Sequence, residues 1–316
     1  MISFRAFADA AKEAGIAMDA VMVMQDERIL GLQRFTDTIF HNVFSIAKSY
    51  TVTAIGFAVE DGLLTPDAKP ADLFSDLMGP GTDPRWQKIT LRHLMTMTTG
   101  HGRPFLMSAE RKMLKEGNHE GITPEMEKEW LIYAFNRPFA YEPGQHFAYG
   151  NLAPYVAGRM LEKAAGMTML DYLYEKLWKP MGVEKPVWGT DPEGHTFPAS
   201  DLFLDITDMC KLGQLYAAGG IFGGRRYLSE DWIRNVTARH VDSNVINPTG
   251  SAHDEEKGYG WYFWHNSVPG TYRAYGREGQ FLVIIPEKNA VIATQAMHSD
   301  VQQVLDLVWE HIYPQV

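Results

Sequence analysis

A single cysteine, Cys210, occurs among 316 residues, so no disulfide can form within the chain. No signature of a reactive thiol flanks it, and a lone cysteine of this kind reads as a small buried hydrophobe rather than a nucleophile. Long apolar runs are also missing: no window approaches the roughly 18 residues of a membrane span. The start, Met1-Ile2-Ser3-Phe4-Arg5-Ala6-Phe7, lacks the basic opening, apolar stretch and small-residue cleavage site of a secretory leader. A cytoplasmic protein without membrane association is the expectation. Basic residues are in the minority, 29 Lys and Arg against 39 Asp and Glu, for a net charge of -10. With no dense Lys/Arg run, nothing in the chain suits a phosphate backbone, and nucleic acid is not an expected partner.

Several chemical signatures are absent as well. There is no G-x-S-x-G elbow, H-E-x-x-H, P-loop or glycine-rich dinucleotide fingerprint. The 11 histidines do not fall at metal-ligand spacing. His93, His101, His146 and His298 read as surface, capping or packed residues, and no metal or organic cofactor is expected.

What is present is an ordinary globular composition, 45% hydrophobic and 22% charged, in a chain long enough for a substantial core. Phe4, Phe7, Ala8 and Ala11 recur at helical spacing before Gly15. Ala20 to Met24 and Ile29 to Leu32 flank the polar Gln25-Asp26-Glu27-Arg28 and predict a hairpin. A helix follows Phe44, with Ile46, Tyr50 and Ala54 on one stripe, and stops at Asp61-Gly62. The middle is helical: Thr90 to Met97, Glu125 to Asn136, and Leu152 to Ala165 ending at Gly166. Between them, the charged, Gly-containing stretch Arg103 to Gly121 fits a mobile lid, and better a solvated surface loop. The last third turns to strands, with an aromatic run Gly258 to Trp264 and a hairpin of Phe281 to Ile285 with Ala290 to Thr294 around Pro286-Glu287-Lys288-Asn289. Val301, Val304, Leu305, Val308, Trp309 and Ile312 give a closing helix. The economical arrangement is α+β: an antiparallel sheet built from both termini and flanked by the N- and C-terminal helices, with a mostly helical lobe inserted. The expected division is 1–75 with 205–316 for the sheet domain and 76–204 for the lobe, with the active site in the cleft between them.

Two short patterns carry chemistry. In Phe44-Ser45-Ile46-Ala47-Lys48 the Ser and Lys lie three apart, one helical turn from each other on the same face. A hydroxyl at a helix start sits where free N–H groups favour developing negative charge, and a neighbouring amine can serve as its base. By itself the pattern is better read as a capping Ser followed by a solvent-facing Lys, since about one S-x-x-K is expected by chance in a chain of this length. The second is Tyr149-Gly150-Asn151 before the Leu152 helix. A phenol there can relay protons and an amide can hold a carbonyl, although a packed Tyr beside an Asn N-cap fits the same residues.

Order and flanks separate these readings. Ser-x-x-Lys near residue 45 followed about a hundred residues later by Tyr-x-Asn resembles the class C β-lactamase-like branch of the serine β-lactamase and penicillin-binding protein superfamily, with its esterase, D-aminopeptidase and amide-oligomer hydrolase relatives. Ile89 to Gly100, Tyr141 to Phe147, Asp208-Met209, Gly213 to Tyr216 and Gly276-Arg277-Glu278-Gly279-Gln280-Phe281 are similar to further stretches of that family, so the likeness runs from about Met18 to the C-terminus.

The resemblance implies a β-lactamase/transpeptidase-like fold and an acyl-enzyme hydrolase of small esters or amides. Ser45 would be the nucleophile, Lys48 and Tyr149 a coupled base, and Asn151 the group orienting the substrate carbonyl. The N–H groups of Ser45 and Arg277 would form the oxyanion hole. The family's third motif is a basic residue, a small residue and Gly; here Ala274-Tyr275-Gly276 keeps only the Gly. The one His-x-Gly, His119-Glu120-Gly121, lies elsewhere. The loss weighs against β-lactams and leaves Arg273 or Arg277 as substitute cations, or as plain surface residues. The competing class is a non-catalytic descendant of the fold that binds a ligand or partner. The joint presence of Ser45, Lys48, Tyr149 and Asn151 speaks against it.

Overall fold

The computed structural model describes residues 2–117, 122–243 and 253–316; His119-Glu120-Gly121 lies outside them. In chain order the helices are α1 (Arg5–Glu13), α2 (Ile46–Glu60), α3 (Pro70–Leu73), α4 (Leu91–Met95), α5 (Ser108–Lys115), α6 (Pro124–Lys128), α7 (Trp130–Phe135), α8 (Leu152–Ala165), α9 (Met169–Leu173), α10 (Ile206–Ala217), α11 (Glu230–Thr237) and α12 (Val301–Leu307). The strands are β1 (Ala17–Gln25), β2 (Arg28–Arg34), β3 (His41–Asn42), β4 (Val187–Trp188), β5 (Leu202–Leu204), β6 (Ile221–Phe222), β7 (Arg225–Arg226), β8 (Trp264–His265), β9 (Tyr272–Gly276), β10 (Gln280–Ile285) and β11 (Ala290–Met297). Two units account for the contacts: Met1–Tyr50 with Glu175–Val187 and Ser200–Val316, and Thr51–Tyr174 with Trp188–Ala199. The first crossing therefore falls inside α2, well before the expected position 75.

The first unit is built on a six-stranded antiparallel sheet of order β2-β1-β11-β10-β9-β8. Its central strands are buried along nearly their whole length, which is why they read as continuous apolar runs. Val21, Val23, Val283 and Ile292 face a core closed by Phe7 and Ala11 of α1 and by Val304, Leu305, Val308 and Ile312 at the C-terminus. Helix α10 covers the other face, close enough that a Cβ at Gly213 would lie 2.7 Å from Val291 Cγ1. The β1–β2 hairpin turns on Asp26 and Glu27, both at positive φ (49° and 62°), as a two-residue turn of the favoured twist requires. At the other hairpin Asn289 supplies the left-handed residue, φ 46°.

The second unit gathers the middle helices around α8, which is buried from Leu152 to Gly158 and stops at left-handed Gly166, φ 69°. Trp130 of α7 packs edge-on to Tyr155 and Phe197, with centroids 5.8 and 5.4 Å apart.

Several expectations need correcting. Helix α2 has no apolar stripe; it is buried on every side from Ile46 to Ala58. Glu125 to Asn136 is two helices, because Glu129 leaves helical geometry (φ -129°, ψ 71°). The stretch after Arg103 is no simple surface loop, since it contains α5, whose Arg111 is buried with its guanidinium 4.0 Å from the Phe197 ring. The aromatic run is not a strand: only Trp264 joins one, Tyr262 has φ 59°, and the chain folds back so that Tyr259 bridges both Val241 and Trp264. Burial of all five aromatics from Tyr259 to Trp264 decides that conformation over their β propensity.

Candidate active site

Ser45 stands one residue ahead of α2, half-buried, at the end of a tight turn. Phe44 before it occupies the left-handed region at φ 46°, a rare place for a bulky side chain. Its N–H donates to Asn42 Oδ1 at 2.8 Å, and Asn42 belongs to β3, paired with Phe203 of β5. Lys48, on the first turn of α2, is 1% exposed, and its Nζ donates to Ser45 Oγ at 2.8 Å. A solvent-facing Lys is thereby excluded.

The end of β9 lies against this turn. A Cβ on Gly276 would overlap the carbonyl oxygen of Val43 and lie 3.2 Å from its carbonyl carbon. Gly276 is therefore required by close backbone approach, its φ of -124° being open to any residue. Arg277 follows, with its guanidinium 5.0 Å from the centre of the Phe44 ring. As the first residue of a helical turn, Arg277 has an N–H without a partner inside that turn. The Ser45 N–H has no acceptor among the described residues. The two expected oxyanion donors thus belong to segments in direct contact.

Of the two candidate substitute cations, Arg273 is spent. It is 1% exposed and donates to the His265 carbonyl and Asn266 Oδ1, both at 2.7 Å. Ala274 is fully buried. Arg277 is 60% exposed at its side chain, with Glu278 Oε1 3.6 Å from its Nε.

Tyr149 and Asn151 sit in the second unit. Asn151 holds the N-cap position of α8, yet its side chain does not cap the helix. Its Nδ2 donates to the Leu106 carbonyl at 2.9 Å, and its N–H reaches the Phe105 carbonyl at 3.2 Å. One of the two amide N–H groups is engaged in this way, which leaves the amide able to donate to a second carbonyl. Gly150 between them packs against Pro104, where a Cβ would lie 3.2 Å from Pro104 Cα. The turn bearing Tyr149 is thus tied to residues 104–106.

The remaining candidates have structural places. Cys210 is buried, and burial followed by the nearby Asp205 pushes its thiol far up, so no thiolate is available. His93 closes a capping box with Thr90. His101 is stacked 4.3 Å from Phe139, His146 lies 4.2 Å from Tyr141, and His298 contacts Gln303. No His, Cys, Asp and Glu grouping among the described residues suits a metal ion. No helix among them is long and apolar enough to cross a membrane. The feature that sequence reasoning missed is the Asn42–Phe44 turn; an Asn two residues before a turn that opens a helix was its only signal.

The Beta-lactamase family model matches residues 4–307. The chain belongs to the Beta-lactamase family. Among curated members, lovastatin esterase of Penicillium rubens is 26% identical over 190 residues, 56% of this chain and 44% of that one. The 6-aminohexanoate-dimer hydrolase of Paenarthrobacter ureafaciens is 20% identical over 281 residues, 87% of this chain and 71% of that one. This chain spans less than half the length of the first curated relatives it matches. The solved penicillin-binding protein homologue from Pyrococcus abyssi superposes with a TM-score of 0.73 at 18% identity, covering 96% of this chain and 75% of that one. That likeness shows the β-lactamase/transpeptidase-like fold expected from the motifs.

Proposed function

We propose that this Beta-lactamase family member is a serine hydrolase that cleaves an ester or amide bond of a small molecule through an acyl-enzyme on Ser45. The observation that carries the reading is the 2.8 Å contact between buried Lys48 Nζ and Ser45 Oγ. Beside it, the approach of Gly276 to Val43 brings the Arg277 segment to the nucleophile turn. The names of the relatives, an esterase and an amide-dimer hydrolase, agree with the bond class.

In this reading Lys48 and Tyr149, as one coupled base, take the hydroxyl proton as Ser45 Oγ bonds to the carbonyl carbon. The N–H groups of Ser45 and Arg277 stabilise the resulting oxyanion, and Asn151 orients the acyl side. Collapse breaks the bond to the leaving alcohol or amine, which receives its proton through Tyr149. Water then attacks the ester on Ser45, giving up a proton along the same route, and the free acid and the Ser45 hydroxyl are restored. The chemistry uses neither metal nor organic cofactor. A cytoplasmic setting and a small-molecule partner belong to the proposal.

Mass spectrometry after treatment with a fluorophosphonate tests it. A single adduct on the peptide holding Ser45, lost in Ser45→Ala with the fold retained, is the expected result. An adduct elsewhere, or undiminished ester hydrolysis by the variant, overturns the assignment.

A further inference from the structure

We infer that Asn42 is a positioning residue for the nucleophile, the side chain that holds Phe44 in its left-handed conformation and so aims Ser45 at Lys48. The inference rests on the acyl-enzyme reading above and deepens it. Phe44 lies at φ 46°, where a bulky residue stays only if its surroundings hold it there. The direct restraint on its backbone N–H is the 2.8 Å bond to Asn42 Oδ1, a turn in which an Asn side chain replaces a backbone carbonyl.

Asn42 is itself well anchored. Its strand pairs with Phe203, and its Nδ2 donates to Asp201 Oδ1 at 3.4 Å. On the other side, the Phe44 ring lies under the Arg277 guanidinium at 5.0 Å. The turn that directs Ser45 Oγ thus also carries the ring against which Arg277 lies. Relaxation of Phe44 toward ordinary φ would rotate the Ser45 N–H and Oγ together, out of line with Lys48. Such a misplacement affects the chemical step more than ground-state binding.

The test is pre-steady-state acylation by a nitrophenyl ester. Asn42→Ala is expected to slow acylation by roughly 10- to 100-fold with little change in the substrate dissociation constant read from the same experiment. Asn42→Ser, which restores an oxygen acceptor for the same N–H, recovers part of the loss and provides the reading if the Ala variant folds poorly. In a Phe44→Gly background, where the left-handed backbone needs no support, Asn42→Ala has little further effect. Equal losses in the Ala and Ser variants, or losses that multiply across Phe44→Gly, overturn the positioning role. A wild-type protein whose Ser45 is never acylated overturns the acyl-enzyme reading and this role with it.

Discussion

Gly276 and Val43 meet backbone to backbone, with room at Gly276 for a hydrogen and nothing larger. The contact joins the end of β9 to the turn carrying Ser45. Gly276→Ala is therefore expected to push Arg277 away from Ser45 and reduce ester turnover by about 10²- to 10³-fold, the usual effect of losing one oxyanion donor. Steady-state kinetics beside a thermal melt checks this. Wild-type turnover would mean that the Arg277 N–H has no part in catalysis.

Lys48→Ala and Tyr149→Phe should each remove most of the activity, and the double variant should be little worse than either. Groups that act as one proton-transfer device lose their effect together. Losses in kcat/KM that multiply would show two independent roles instead.

Simple esters or short amides should be turned over faster than penicillins or cephalosporins. Ala274, which the spacing assigns to the family's basic position, is fully buried, and Arg273 one position earlier is committed to His265 and Asn266. A β-lactam carboxylate thus lacks its usual charge-assisted partner on β9. Comparing kcat/KM for a nitrophenyl ester and a chromogenic cephalosporin decides the point; equal values would show that Arg277 fills the role.

His101 should make stability fall in acid. Its imidazole is buried among Trp86, Phe105 and Phe139, and burial lowers its pKa from 6.5 to about 4. Between those values the unfolded chain binds the proton and the folded one does not, so stability rises with pH across that window. It is lost as pH falls through about 4, by on the order of 3 kcal/mol from this residue. Urea unfolding at pH 6.5 and 4.5 should show a shallower difference for His101→Gln than for wild type. An unchanged slope would assign the acid loss to other groups.

Much of this protein was legible in one dimension. Helix α8 ends at the expected residue because a left-handed Gly is a local stop, and the hairpins follow from turn chemistry between short apolar runs. The spacing of Ser45 and Lys48 places them one turn apart, but the family likeness was needed to set them above a chance Ser-x-x-Lys. Tyr149 and Asn151 needed the family likeness, since nothing local separates a reactive Tyr from a packed one. Other features were decided only by tertiary structure. Lys48 is buried because α2 is enclosed on all sides, and Gly276 is required by a backbone 233 residues earlier in the chain. Arg273, a surface residue by composition, became an interior strut once the His265 carbonyl and Asn266 Oδ1 were brought to it. Local pattern determines which way a segment turns and which face it hides. What packs against that face is set by contacts between distant parts of the chain, and those contacts decide whether a charged or aromatic side chain serves the site or the core.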